Sequence, residues 1–428
     1  MQTHQSAVYG RDTLESLDGN PESTGFPTRV RYIVVLRQRI PKAVRLYFLL
    51  FIATIPFESI SLMSGSLSPA RIFGLLFFAS CLLSRKRCFA RPPSALWWLL
   101  GNLIIFVAFG GSGSFLITRI QLIFLLWVAT NLFKEEKLAR NALLAYAIAV
   151  VIFVLCTVLQ LPGFSDTWQS REFMGATRAA ALGYNPNELS GMIALGMVIL
   201  IGFQLEEHRW RLWQKVLCLI STLLSLGVLV RTGSRAGIGM LVIGVSMYLL
   251  ALGRSRRKMT TIAVAVCILI AIGYMVVINP LAAARWGEAY YEGDTSGRDR
   301  IFSAALEMIV ERPILGWGPT FGGELGHRIR RLGGPRDAHN LIFHLFLEVG
   351  ALGAVPFLVG LGICTRAAWK GRMGKLGILP FALLITTLAS NLAGTGLTKK
   401  QMWLVLALAL ATASTEERQG KRFVQSNL

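Results

Sequence analysis

Long uninterrupted apolar runs recur from about residue 44 to residue 413, and they constrain this chain's fold more than any other feature. A membrane-crossing helix needs about 20 apolar residues, with every backbone polar group satisfied inside the segment once water is gone. Twelve stretches approach that criterion, with cores at 44–63, 69–84, 94–110, 114–133, 138–160, 186–204, 212–231, 235–252, 259–279, 339–365, 376–392 and 397–413. The second and third are short and close together. The runs are continuous rather than alternating, which argues against a β-barrel. The expected fold is all-α: a polytopic membrane protein with about 12 transmembrane helices.

Charge sets the orientation of these spans. The formal net charge is +21, which in a soluble chain would point to nucleic acid. Here the basic residues sit between the apolar runs instead. They precede span one (Arg31, Arg37, Arg39, Lys42, Arg45) and follow spans two (Arg85, Lys86, Arg87, Arg91), four (Lys134, Lys137, Arg140) and six (Arg209, Arg211, Lys215). They recur after spans eight (Arg254, Arg256, Arg257, Lys258), ten (Arg366, Lys370, Arg372, Lys375) and twelve (Arg418, Lys421, Arg422). Every second connection is basic, so the positive-inside rule puts both termini in the cytoplasm. No nucleic-acid motif spacing accompanies the charge, and nucleic acid is not an expected partner. The expected organisation is a disordered cytoplasmic tail (1–42), a transmembrane domain (43–413) and a cytoplasmic C-terminal tail (414–428). The six cysteines form no CxxC pair, so neither a disulfide nor a metal site is expected.

The exported side carries one long connection, 280–338, with eight basic and eight acidic residues, hence no net charge to oppose export. Asp294, Thr295 and Ser296 are placed to cap a helix starting near Gly297. Ile301, Phe302, Ala305, Leu306, Ile309 and Val310 continue it at helical spacing until Arg312-Pro313 ends it. This amphipathic helix either lies in the interface or caps a cavity.

Chemistry-bearing residues gather on the same side. His339 opens span ten, and its ring can exchange a proton near pH 7; the plain alternative is an interfacial histidine. Asn340 either caps the helix or bonds a substrate. His344 lies five residues on, about 140° around a helix, so the two rings should not share a ligand and His344 reads as structural. Arg235 follows the Gly233-Ser234 turn at a helix start, a good setting for a diphosphate, although an arginine snorkelling to headgroups looks the same. Arg231 shares that turn and fits either use. Arg298 and Arg300 begin the loop helix, where a cation opposes the helix dipole; an ion pair with Asp294 or Asp299 would explain Arg298 equally. Arg171 and Arg178 precede Gly183-Tyr184-Asn185-Pro186-Asn187, a turn with proline at a first helical position. Glu188 and Glu348 are intramembrane acids, which mark a functional site or pair with a buried arginine. Lys399-Lys400, at the outer end of span twelve, would attract membrane lipids bearing phosphate.

His339-Asn340, nine residues, then Gly350 and Gly353 resembles the motif of the O-antigen ligase superfamily. That superfamily also includes O-antigen and exopolysaccharide polymerases and protein O-oligosaccharyltransferases. The Ser234-Arg235 turn, the Gly297-Arg298 helix start followed by Pro313-Ile314-Leu315-Gly316-Trp317-Gly318, and Asn185-Pro186-Asn187 are similar to its other signatures. The resemblance implies a glycosyltransferase that works without a metal or other cofactor at the periplasmic face of the bacterial inner membrane. Its donor would be an undecaprenyl-diphosphate-linked glycan. Its acceptor would be lipid A–core in a ligase or a growing glycan in a polymerase. His339 would take the family's catalytic histidine role, Arg235 and Arg298 the diphosphate-binding roles, and Arg171 or Arg178 a further one, supported by Asn340, Arg300 and Ser234. A transporter is the reading from a different class; its mark would be charges at the bilayer midplane, of which Glu348 is the main instance.

A cysteine at position 328, in a chain otherwise free of reactive cysteine, is expected to react with a membrane-impermeant thiol reagent from the periplasmic side. Protection there with labelling from the cytosol would overturn the orientation.

Overall fold

Each of the twelve apolar stretches contains helix among the described residues. The computed structural model describes residues 40–60, 68–165, 167–169, 177–206, 210–250, 258–293, 297–329 and 336–426. In chain order the elements begin with α1 (Lys42–Thr54), α2 (Pro69–Leu82), α3 (Arg85–Cys88), α4 (Ser94–Ala108), α5 (Gly113–Phe133) and α6 (Glu136–Val158). A short antiparallel pair follows, β1 (Thr167–Gln169) and β2 (Thr177–Ala179), with Trp168 opposite Arg178. The chain continues with α7 (Pro186–Glu206), α8 (Leu212–Arg231), α9 (Arg235–Leu250), α10 (Lys258–Ile278), α11 (Pro280–Tyr291), α12 (Arg298–Glu311) and α13 (Phe321–Arg328). It closes with α14 (Leu341–Lys370), α15 (Leu379–Asn391) and α16 (Lys400–Ser426).

Among the described residues, five helices are long and apolar enough to cross a membrane: Gly113–Phe133, Glu136–Val158, Pro186–Leu205, Leu212–Arg231 and Leu341–Met373. A sixth arises if Ile262–Ile278 and Pro280–Tyr291, bent by 94°, count as one broken span. Helices α2, α4, α9, α15 and the apolar part of α16 are shorter. Local chain breaks account for some of this shortening. Pro56 sits in a 3₁₀ turn that ends α1, and Gly110, with φ +88°, follows the end of α4.

Helix α9 lies against both α7 and α15. A Cβ at Gly237 would collide with Ser190 of α7, and one at Gly244 with Thr386 of α15. Small residues here let the backbones approach, as they must where lipid supplies no hydrophobic drive between helices. Helix α14 packs on α4 and α16. Its Glu348 accepts a 2.5 Å ion-paired hydrogen bond from Arg119 of α5, and both side chains are buried. Arg119 also lies 3.8 Å from the centre of the Phe106 ring. Of the two intramembrane acids, Glu348 therefore pairs with a buried arginine. Glu188 instead pairs with Lys399, and Lys400 with Glu58, so both lysines expected to attract lipid are neutralised within the protein.

The long connection holds three helices rather than the one expected. Asn279 caps α11 by accepting from the Ala282 amide, with Pro280 at the first helical position. Helix α12 starts after Gly297 in a left-handed conformation (φ +72°); the capping residues expected at 294–296 lie outside the described residues. Ala304, Ala305 and Met308 of α12 join Phe321 and Leu325 of α13 and Leu347 of α14 in a second small core. Trp317 roofs it, donating from Nε1 to the Met308 carbonyl at 2.8 Å, with the Arg312 guanidinium 4.1 Å over its ring.

This module is locked to α14 at a break. Gly350 has φ +57° and ψ −168°, so the helix stops and restarts there. The Pro313–Gly318 segment supplies the missing hydrogen bonds. Trp317 and Gly318 amides donate to the carbonyls of Leu347 (2.6 Å) and Glu348 (3.0 Å). The amides of Ala351 and Leu352 donate to the carbonyls of Pro313 (2.8 Å) and Ile314 (3.1 Å). The sequence alone reads Gly350 and Gly353 as a smooth face for close helix packing; Gly350 is instead a docking point for a loop. Gly353 fits that face better: a Cβ there would meet Ile105 of α4 at 3.2 Å.

Gly350→Ala is expected to destabilise the protein strongly. The backbone conformation alone disfavours a side chain by about 1–3 kcal/mol, and the new Cβ would strike the Ile314 carbonyl. Thermal unfolding in detergent should fall clearly below wild type; an unchanged midpoint would refute the clip.

Candidate active site

The Arg336–Asn340 corner carries the histidine. Its backbone is tied to α13 by the Arg336 amide, which donates to the Gly322 carbonyl at 2.8 Å. Asn340 is the N-cap of α14: its side-chain oxygen accepts from the amides of Ile342 (2.9 Å) and Phe343 (3.2 Å). Of the two roles open to Asn340, capping is the one seen. His339 therefore precedes the helix, and its φ of +49° turns it back over the corner. That geometry corrects the expected separation of the histidines, since a helical 100° per residue does not apply across a cap. Both rings face one carboxylate. His344 Nδ1 lies 3.2 Å from Asp337 Oδ1, and His339 Nδ1 lies 3.9 Å from Asp337 Oδ2. Burial pulls His339 below the ordinary imidazole range; Asp337 opposes that, while the charges of Arg298 and Arg336 add to it. The lowering favours the neutral ring, the form able to accept a proton.

A group of arginines forms around the turn between α8 and α9. Arg178, on β2, donates from Nε to the Thr232 carbonyl at 2.8 Å and from Nη2 to Asn187 Oδ1 at 3.3 Å. Arg285, on α11, donates from Nη1 to the Gly233 carbonyl at 2.7 Å. Arg235 donates from Nη1 to the Arg285 carbonyl at 3.0 Å. Arg298 reaches the Ala393 carbonyl at 3.3 Å. Burial pushes Arg178 down to about 10, and the charges of Arg285, Arg235 and Arg298 push the same way. Arg298 is lowered by burial and by Arg235. Four cations close enough to disfavour one another's charge make a strong anion site. Because Arg298 also acts on His339, the arginines and the histidine share one field.

A cavity of about 470 Å3 brings Arg178, Asn187, Arg336, Asp337, His339, Thr395 and Lys399 together between α7, α9, α15 and the segment before α16. Asn185 shapes its rim by capping α7, accepting from the amides of Asn187 and Glu188 at 3.0 Å. The Ser234 hydroxyl is buried, donates to Asn187 Oδ1 at 2.9 Å and accepts from the Gly237 amide at 3.1 Å, capping α9. Arg300 is exposed on α12, Arg231 is exposed at the end of α8, and Arg171 lies outside the described residues. Two residues of the group, Arg285 and Asp337, were not among the site residues expected from the sequence. Asn279-Pro280 was a usable sign that Arg285 sits on a helix. The two-residue spacing of Asp337 from His339 was a usable sign of a histidine partner.

The fold and this cavity define an integral membrane protein with a cationic, histidine-bearing site at the end of its helices. Residues 220–358, about a third of the chain, match the family described as O-Antigen ligase. That stretch, similar to the O-antigen ligase family, holds Arg235, Arg285, Arg298, Asp337 and His339. No curated protein matches the chain.

Arg298 is the arginine whose substitution best isolates the anion site, because its recorded bond is a long one to a single carbonyl. Arg298→Gln is expected to weaken binding of inorganic pyrophosphate to the detergent-purified protein about tenfold or more, as loss of a charge-assisted hydrogen bond requires. Isothermal titration calorimetry at fixed salt checks this; equal affinity would remove Arg298 from the site.

Proposed function

We propose that this protein transfers a glycan from an undecaprenyl-diphosphate carrier to an acceptor hydroxyl, with lipid A–core as the acceptor, in the manner of an O-antigen ligase. The reaction takes place at the periplasmic face of the bacterial inner membrane, in a domain of about twelve transmembrane helices with both termini cytoplasmic. The observation that carries the proposal is a cavity lined by both His339 and Arg178, with Arg235, Arg285 and Arg298 close enough to act on the charge of Arg178; all of these but Arg178 lie within the stretch that matches the family.

The chemistry needs both parts. An acceptor hydroxyl is a poor nucleophile, and His339 takes its proton as the oxygen attacks the anomeric carbon. The bond from that carbon to the diphosphate breaks, and the lipid diphosphate leaves with added negative charge. Arg178, Arg235, Arg285 and Arg298 stabilise that charge as it develops. One displacement inverts the anomeric centre. A two-step route needs a carboxylate nucleophile, and the candidates are poor: Glu324 is paired with Arg328 on α13, and Glu172 lies outside the described residues. The charged pair at Glu348, which a transporter would use, is sealed against Arg119. With a growing glycan in place of lipid A–core, the same machinery would polymerise.

His339→Ala is expected to lower transfer by about 10²–10⁴-fold with normal insertion. The wild-type rate should rise with pH through a midpoint below the ordinary 6.5 of histidine, since the neutral ring is the active form and its pKa is depressed. A gel of surface lipopolysaccharide from a deletion strain separates the acceptors. Loss of all capped chains supports ligation, one repeat unit on core means polymerisation, and wild-type transfer by a well-expressed H339A protein would end the base role.

A further inference from the structure

We infer that Asp337 is a positioning residue for His339, holding the imidazole with Nδ1–H toward the carboxylate and Nε2 free toward the cavity. The inference rests on the proposed base role of His339 but draws on separate observations. The carboxylate is held on several sides. Thr395, from the segment after α15, donates its hydroxyl to both oxygens at 2.9 Å. His344, one turn into α14, lies 3.2 Å from Oδ1. It is held in turn by the Phe321 ring, edge-on with ring centres 4.8 Å apart. That leaves Oδ2 directed at His339 Nδ1, at 3.9 Å. One oxygen is thus assigned to each imidazole, with a hydroxyl bridging the two.

Charge supports the arrangement. Burial alone would raise the Asp337 carboxyl, but the hydrogen bond and charge of His344, the Thr395 hydroxyl and His339 outweigh it and hold the group at about 2. Asp337 stays a carboxylate throughout the working range. The groups acting on His339 are then Asp337 on one side and Arg298 of α12 and Arg336 on the other. The arginines disfavour the imidazolium that forms when His339 takes the acceptor's proton. Asp337 is the group that favours it. The 3.9 Å gap is longer than a hydrogen bond, and catalytic contacts of this kind commonly tighten only when substrate is bound. The His339 side chain is 44% exposed, which gives the ring room to close on the carboxylate. A carboxylate on Nδ1 also selects the tautomer that leaves Nε2 as base, the role it has in Ser-His-Asp enzymes.

The test separates pairing from catalysis. In the full-length protein in detergent, the pH dependence of diethyl pyrocarbonate modification at His339, located by mass spectrometry, reports the neutral imidazole without any transfer assay. Asp337→Asn should move the midpoint down by about one pH unit, since an opposite charge this close is removed. In the same variant, transfer should fall at least about tenfold with KM little changed. A midpoint that stays or rises overturns the inference, and so does a lowered midpoint with wild-type turnover. An inactive D337N with a lowered midpoint supports it. If His339→Ala keeps full activity, the base role fails instead, whatever the midpoint does. Should D337N not fold, Thr395→Val keeps every charge but frees the carboxylate; a threefold or greater loss of kcat at constant KM is expected, and unchanged kcat overturns the inference.

Discussion

Backbone hydrogen bonds that have no water to fall back on govern this structure. Where α14 breaks at Gly350, four backbone groups would be orphaned inside a helical bundle, at a cost of several kcal/mol each in an apolar setting. The Pro313–Gly318 segment satisfies them, two as donors and two as acceptors. The exchange fixes where the long connection sits, and other placements follow. Helix α12 is drawn onto α14 through Met308 and Leu347. Helix α13 follows through Phe321 and Leu325, and its Gly322 carbonyl holds the Arg336 amide. The corner bearing Asp337 and His339 is therefore positioned by a contact several residues away in α14 itself.

Electrostatics adds a second constraint. Four arginines share a small region, where carbonyls of the Thr232–Gly233 turn, Arg285 and Ala393 help to hold their guanidinium groups. Among the acids, Glu188 pairs with Lys399, Glu348 with Arg119, and Asp337 with Thr395 and His344. The neighbouring positive charges lower the pKa of Arg178 and Arg298, a field that suits a reaction releasing a diphosphate.

Much of the fold was legible because apolar runs and turn chemistry are local. The start of α7 at Pro186, the end of α12 at Arg312 and the start of α9 at Arg235 follow from caps and prolines that act within one turn. Crossing length was less legible. A run of apolar residues does not reveal where a 3₁₀ turn such as Ile55–Phe57 or a left-handed glycine such as Gly110 will cut the helix. The site was half visible. His339, Arg235 and Arg298 stand at recognisable helix starts, and Arg178 precedes the Asn185-Pro186-Asn187 turn. Arg285 lies in the long connection, where the sequence marks only one helix, and a carboxylate two residues before His339 is not by itself a sign of a partner shared with His344.

By itself the sequence determined a helical membrane chain and a resemblance to O-antigen ligases over part of its length, and it offered His339, Arg178, Arg235 and Arg298 as candidate site residues. These depend on residue type and short-range spacing. Only the tertiary structure decided which groups meet. It turned His339 out of the helix so that it shares Asp337 with His344. It used Ser234 and Asn340 as caps, and it converted Gly350 from a packing surface into a joint. The physical reason is the same in each case. Hydrogen-bond partners and charges act through space, and what they find there is set by chain segments far away in sequence.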